Sequence, residues 1–176
     1  MSLLITLVTA VGLSMDAFSL ALIYGTLNMS KKLNNQMSLM VGIFHFFMPV
    51  LGYSLGKAIL KFVPINPDVL VGIIFIVLAI EMLISLRKEE QVKILTNFAS
   101  VCLFAFTVSI DSFSVGIAYG ALNSNIIVSS IIFSIISGIF TYLGVTLGKK
   151  LVNRFGNIST LIGSIILMIL GISYLF

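Results

Sequence analysis

The chain has 176 residues, of which 59% are hydrophobic and only 9% charged, and its mean hydropathy is +1.20. Soluble domains carry about 25% charged residues, so this composition excludes a water-covered globular domain and points to an integral membrane protein. The formal net charge of +4 has no soluble basic face to sit on, which excludes a nucleic-acid partner.

The apolar runs are near 20 residues long and do not alternate with period two, so the expectation is transmembrane helices rather than a β-barrel. Backbone polar groups in lipid must be satisfied within the segment, and a helix does this. Helix 1 is expected over 3–25. It lacks a preceding Lys or Arg and a small-residue cleavage site, so it does not read as a signal peptide. Helix 2 is expected over 36–60 and ends before Pro64 and Pro67. Helix 3 covers 69–86, followed by the charged run RKEEQVK. Helix 4 covers 97–122 and closes on the tight turn NSN at 123–125. Helix 5 covers 126–149 and helix 6 covers 158–176, with KKLVNRFGN between them. The one cysteine, Cys102, lies in an apolar run, so neither a disulfide framework nor a cysteine metal cluster is expected. Eight of the ten Lys and Arg residues (Lys31, Lys32, Arg87, Lys88, Lys93, Lys149, Lys150 and Arg154) fall in loops on one side, against Lys57 and Lys61 on the other. The positive-inside rule then puts both termini outside the cytoplasm.

One stretch occurs twice. Residues 14–25 read SMDAFSLALIYG and residues 109–120 read SIDSFSVGIAYG, identical at six of twelve positions. GIF at 42–44 is repeated at 138–140, and LGYSLGK at 51–57 matches LGVTLGK at 143–149. The offset falls from 96 to 92 between these matches, so the first copy holds four extra residues around His45–Pro49. The expected architecture is an all-α membrane protein: one transmembrane domain over 1–176, built as repeat one (1–88) and repeat two (96–176). Each repeat has three helices, and an odd number makes the second insert inverted relative to the first, as in many secondary transporters.

Asp16 and Asp111 are the leading site candidates. A carboxylate at the bilayer centre costs roughly 2.5–3.5 kcal/mol and marks an ion or proton path when it faces the bundle interior. Inverted symmetry would bring helices 1 and 4 together with both acids at similar depth, where they could hold a divalent cation or share a proton. Thr9, Asp16 and Ser19 share a helical face, as do Thr107, Asp111 and Ser114, and Ser112 adds another hydroxyl. These oxygens suit Mg²⁺, Ca²⁺ or Mn²⁺, although small hydroxyl residues also serve simply to let membrane helices pack closely. His45, the lone histidine, lies four residues before Pro49, which frees its carbonyl. It is either a packed residue, a ligand or a proton carrier. Glu81 either snorkels to the interface or forms an ion-entry site. Tyr24 and Tyr119 read as interfacial anchors. Met15 and Met48 are read as packing.

Through SMDAFSLALIYG, GIFHFFMPVLGYSLGK and SIDSFSVGIAYG, in that order and spacing, the chain resembles the MntP-type manganese efflux pumps, small six-helix relatives of the lysine-exporter superfamily. The resemblance covers nearly the whole chain. It implies export of Mn²⁺ across a bacterial cytoplasmic membrane, with Mn²⁺ as transported substrate rather than cofactor and with Asp16 and Asp111 as the functional acids. Expected partners are Mn²⁺, protons as a plausible counter-ion, and the lipid bilayer, in a monomer or homodimer. Without a GxxxxGK[ST] motif, ATP is not the direct energy source. With no nucleophile–base set, an enzyme is not expected. The residues alone leave open an exporter of another divalent or organic cation, or a non-transporting membrane scaffold.

Overall fold

The computed structural model describes residues 2–27, 29–62, 65–87, 95, 97–122 and 124–176. Pro64, Asn123, Lys88, Lys93 and most of the charged run between helices 3 and 4 lie outside the described residues, as does the side chain of Arg154. The described residues are helical with short connections. Helix α1 is Leu3–Gly25, α2 is Lys31–Phe62, α3 is Pro67–Ser85, α4 is Phe98–Val108 and α5 is Ile110–Ala121. A helical tract then runs from Ile126 to Leu175 and contains two candidate spans, α6 (Ile126–Leu151) and α7 (Asn157–Leu175).

The tract reverses direction between α6 and α7. Ser14 of α1 bonds Ser137 of α6, while Gly12 of α1 packs on Ile166 and Leu167 of α7. A straight helix would hold residues 137 and 166 roughly 40 Å apart, far more than the two residues between Gly12 and Ser14 can span. Going up the chain, α1 meets α6 in parallel (Phe18 on Phe140, Gly25 on Val145) and α7 antiparallel. In the same way α2 runs parallel to α4–α5, with Phe44 on Phe106 and Tyr53 on Gly120. α3 lies antiparallel to α7, with Gly72 on Leu175 and Met82 on Gly163.

Glycine makes the two parallel pairings possible. A Cβ at Gly25 would strike the carbonyl oxygen of Val145, and one at Gly148 that of Leu22. In the other pair, a Cβ at Gly120 would strike the oxygen of Tyr53, and one at Gly56 that of Ile117. Backbone meets backbone, and only a residue without a side chain permits it.

Among the described residues, five helices are long and apolar enough to cross a membrane, and the bent pair α4–α5, taken as one span, makes six. Large apolar side chains point outward in rows spaced by four, such as Leu39, Ile43, Phe47 and Leu51 on α2 and Ile127, Ile131, Ile135 and Ile139 on α6. This is the surface of a multi-pass membrane protein.

Three features differ from the sequence expectation, two helix boundaries and the place of two tyrosines. α2 begins five residues earlier, because Ser30 accepts from the Leu33 amide and caps the helix there. Helix 4 is broken at Ser109 and bent by 41°. Ser109 has φ −95° and ψ 3°, its amide is shared between Ala105 and Phe106 oxygens at 3.2 and 3.1 Å, and its hydroxyl bonds back to Ala105 O at 2.7 Å. Such back-bonding competes with the helical ladder and bends it. Tyr24 and Tyr119 are buried rather than interfacial. Tyr24 stacks edge-on to Phe104 with ring centroids 4.7 Å apart, and Tyr119 to Phe133 at 5.5 Å.

Candidate ion-translocation site

The buried apolar residues form two clusters, and the motif aspartates lie at the seam between them. One cluster takes Ala10 and Leu13 from α1, Val71 to Met82 from α3, Val115 to Ala121 from α5, Phe133 from α6 and Leu167 from α7. The other takes Ala17 and Ala21 from α1, Met37 and Val41 from α2, Val101 to Val108 from α4 and Val145 from α6. Along α1 the clusters change hands between Leu13 and Ala17, which brackets Asp16. Along α4–α5 they change between Val108 and Val115, which brackets Asp111.

α1 and α4–α5 pass each other antiparallel, with Tyr24 against Phe104 at one end and Tyr119 beside Thr6 and Thr9 at the other. Both aspartates lie between those two contacts. Asp16 is half-buried in an unbroken helix. It lines a cavity of about 170 Å³ with Ser19, Ser85, Asn157 and Thr160, toward the end of the bundle where α1 and α3 finish and α7 starts. That volume accommodates a cation with several waters. Asp111 has a different local setting, in the first turn of α5 just after the break. The dipole of a helix start favours a carboxylate there. Asp111 is half-buried and interacts electrostatically with Glu81 of α3, which is itself exposed. Ser112 is buried, with a hydroxyl that has no hydrogen-bond partner, and Ser114 is half-buried. Thr107 does not join this face. It is exposed and donates to Leu103 O at 2.9 Å.

His45 is 1% exposed. Its Nδ1 is 3.0 Å from Val41 O and 2.8 Å from the Ser109 hydroxyl. Ser109 spends its proton on Ala105 O, and a carbonyl can only accept, so Nδ1 carries the hydrogen and serves both oxygens. The Nε2 lone pair is left for another partner. A similar link joins α1 to α6, where Ser14 donates to Ala10 O at 2.6 Å and lies 2.9 Å from Ser137 Oγ, which therefore donates to it. Ser109 was not singled out in the sequence reading. The signal was its identity with Ser14 at the head of the duplicated motif.

Asp16 and Ser19 thus line one cavity, Glu81 acts electrostatically on Asp111, and His45 is bonded to Ser109. Among the described residues no three of His, Cys, Asp and Glu gather closely enough to hold a metal ion.

The family model described as "Putative manganese efflux pump" matches residues 28–175. The chain is 37% identical over 170 residues to the "Putative manganese efflux pump MntP" of Bacillus pumilus, covering 96% of this chain and 92% of that one. It is 32% identical over 168 residues to the protein of the same name in Geobacillus thermodenitrificans, covering 95% and 92%, and 32% identical over 179 residues to that in Methanosphaera stadtmanae, covering 98% of each. No solved structure matches the chain significantly. With the family model matching most of its length and relatives above 30% identity spanning nearly all of it, the chain belongs to the MntP family of manganese efflux pumps.

Proposed function

We propose that this chain is a secondary transporter that exports Mn²⁺ through a site near the bilayer midplane formed by Asp16 and Asp111, in exchange for protons. The observation that carries this reading is the seam: the two motif acids share the level at which the apolar clusters part. Mn²⁺ is taken up at the lysine-bearing end, in the cavity beside Asp16 and Ser19. It passes to Asp111, where Glu81 adds a second carboxylate and the unpartnered Ser112 hydroxyl an oxygen. Ser114 contributes from the same short helix. A small hard-oxygen site with retained waters suits Mn²⁺, and the same carboxylates can bind protons on the return step. His45, through Nε2, is the proton carrier or an additional ligand.

The architecture proposed is a pair of inverted three-helix repeats. Contacts supporting it come in matched sets: Gly144 on Phe18 O and Gly52 on Phe113 O, Gly148 on Leu22 O and Gly56 on Ile117 O, Gly25 on Val145 O and Gly120 on Tyr53 O. The Ser14–Ser137 and Ser109–His45 links follow the same correspondence. The proposed location is the bacterial cytoplasmic membrane with both termini outside, because the exposed Lys31, Lys32, Lys149 and Lys150 gather at one end.

The test is Mn²⁺ flux into proteoliposomes with a pH dye inside. Wild type should move Mn²⁺ with a matching pH change, and Asp16→Asn and Asp111→Asn should each reduce flux at least a hundredfold. Normal flux in both variants would sink the reading.

A further inference from the structure

Outside the translocation site, a polar cavity lies at the lysine-bearing end between the finish of α1, the start of α2 and the finish of α6. It measures about 450 Å³. Lys31 and Lys149 stand on its rim, and Asn34, Asn35, Tyr142 and Thr146 line it. Immediately along the same two helices runs a second cavity, about 480 Å³ and open to the side, lined by Ser38, Gly42, Ile43, Gly138, Ile139 and Tyr142. Tyr142 belongs to both. The first is cationic and polar, the second apolar and lipid-facing, and they join end to end at the α2–α6 crossing.

The charge at the head of this groove is uncompensated by its own walls. Neither α2 nor α6 contains an Asp or Glu. The side-chain oxygen Oδ1 of Asn34 is buried without a hydrogen-bond partner, and a buried acceptor left unmet costs about 1–3 kcal/mol. The lining therefore suits two groups: an anion beside the lysines and a hydroxyl that donates to Asn34 Oδ1. One molecule of a bilayer supplies both on a hydrocarbon tail.

We propose that this composite groove is a binding site for an anionic phospholipid whose headgroup carries free hydroxyls, phosphatidylglycerol in chemical class. The phosphodiester sits between Lys31 and Lys149, a glycerol hydroxyl donates to Asn34 Oδ1, and one acyl chain lies in the groove past Gly42 and Gly138. Basic pockets between transmembrane helices hold anionic headgroups in this manner. The cap of α2, whose first amides lie beside Lys31, adds to the positive field. The bound lipid would bridge α2 and α6, helices from opposite halves of the chain. The inference is independent of which ion is carried.

The experiment is native mass spectrometry on the delipidated full chain, titrated with an equimolar mixture of phosphatidylglycerol, phosphatidic acid and phosphatidylcholine. Wild type should retain one phosphatidylglycerol in preference to phosphatidic acid and show no specific phosphatidylcholine adduct. Each of Lys31→Gln and Lys149→Gln should lower phosphatidylglycerol occupancy roughly fivefold. Lys31→Arg/Lys149→Arg should restore it, which separates lost binding from lost folding. Lys57→Gln/Lys61→Gln, at the opposite end, should change nothing. Asn34→Leu should erase the preference over phosphatidic acid. Equal retention of phosphatidylcholine, an undiminished double glutamine variant, displacement of the lipid by free sn-glycerol 1-phosphate, or a dimer that forms only without lipid would each overturn the proposal. The third of these would assign the site to a soluble phosphate, and the last to a second copy.

Discussion

Gly116→Ala tests the backbone contact that holds α5, and with it Asp111, against α2. An ideal Cβ at Gly116 would lie 2.6 Å from Pro49 Cα and 2.8 Å from Pro49 C. Carbon atoms in contact prefer about 3.5–4.0 Å, so the helices must part by about 1 Å. A gap of that size forfeits roughly a quarter to a half of each dispersion contact along the seam. Overpacking costs about 1–3 kcal/mol in general. The upper end applies here because the obstacle is main chain and cannot swing aside. Replacing a helical glycine with alanine returns at most about 1 kcal/mol. The net expectation is a loss of about 2 kcal/mol, a factor of roughly 30 in the folded-to-unfolded ratio. Gly138→Ala is the comparison: its Cβ would meet Ser38 O at 3.5 Å and Gly42 Cα at 3.8 Å, which is ordinary contact. That variant should stay within about 0.5 kcal/mol of wild type. Reversible unfolding in mixed micelles, followed by circular dichroism against added dodecyl sulfate, gives both values. Equal midpoints for the two variants would refute the close approach of α2 and α5. Transport should follow stability's order, because Asp111 lies little more than one turn from Gly116.

Ser109→Ala removes the hydroxyl shared by His45 Nδ1 and Ala105 O while leaving Val41 O on the imidazole. It should cost about 1 kcal/mol and straighten α4–α5, seen as a longer distance between spin labels at the two ends of the bent pair; an unchanged distance would detach the hydroxyl from the bend. Tyr119→Phe deletes a buried hydroxyl that stands beside Thr6 and Thr9 without a well-formed hydrogen bond to either, so stability in the same micelle assay should hold or rise by up to about 1 kcal/mol, whereas Tyr119→Ala should lose about 3–5 kcal/mol to the cavity it leaves. A large loss in Tyr119→Phe would mean that the hydroxyl bonds Thr6 or Thr9.

The spans and the duplicated aspartates were legible in the sequence because each follows from a local cost: unsatisfied backbone or buried charge. The break at Ser109 was not. Ser14 and Ser109 occupy the same place in the motif, and both bond back four residues, yet α1 stays whole and α4–α5 bends. The difference lies in what meets each serine across the interface, a serine in one case and an imidazole in the other, and that partner comes from a distant helix. Tyr24 and Tyr119 were misread for a related reason. Tyrosine near a span's end fits an interface anchor, but the antiparallel passage of α1 and α4–α5 turns both rings inward. The electrostatic influence of Glu81 on Asp111 also depends on α3 packing against α5, which no repeat predicts.

The glycine pairings also bear on how the chain is made. α1 finds its tightest neighbour in α6, with Gly25 on Val145, and α2 finds its own in α5, with Tyr53 on Gly120. Neither early helix has its main partner within the first half. At roughly 5–20 residues per second of synthesis, α1 must remain in the bilayer for on the order of ten seconds before α6 emerges. During that interval its small-residue face and Asp16 are open to other proteins in the membrane, so assembly is completed only when the last third of the chain has been inserted.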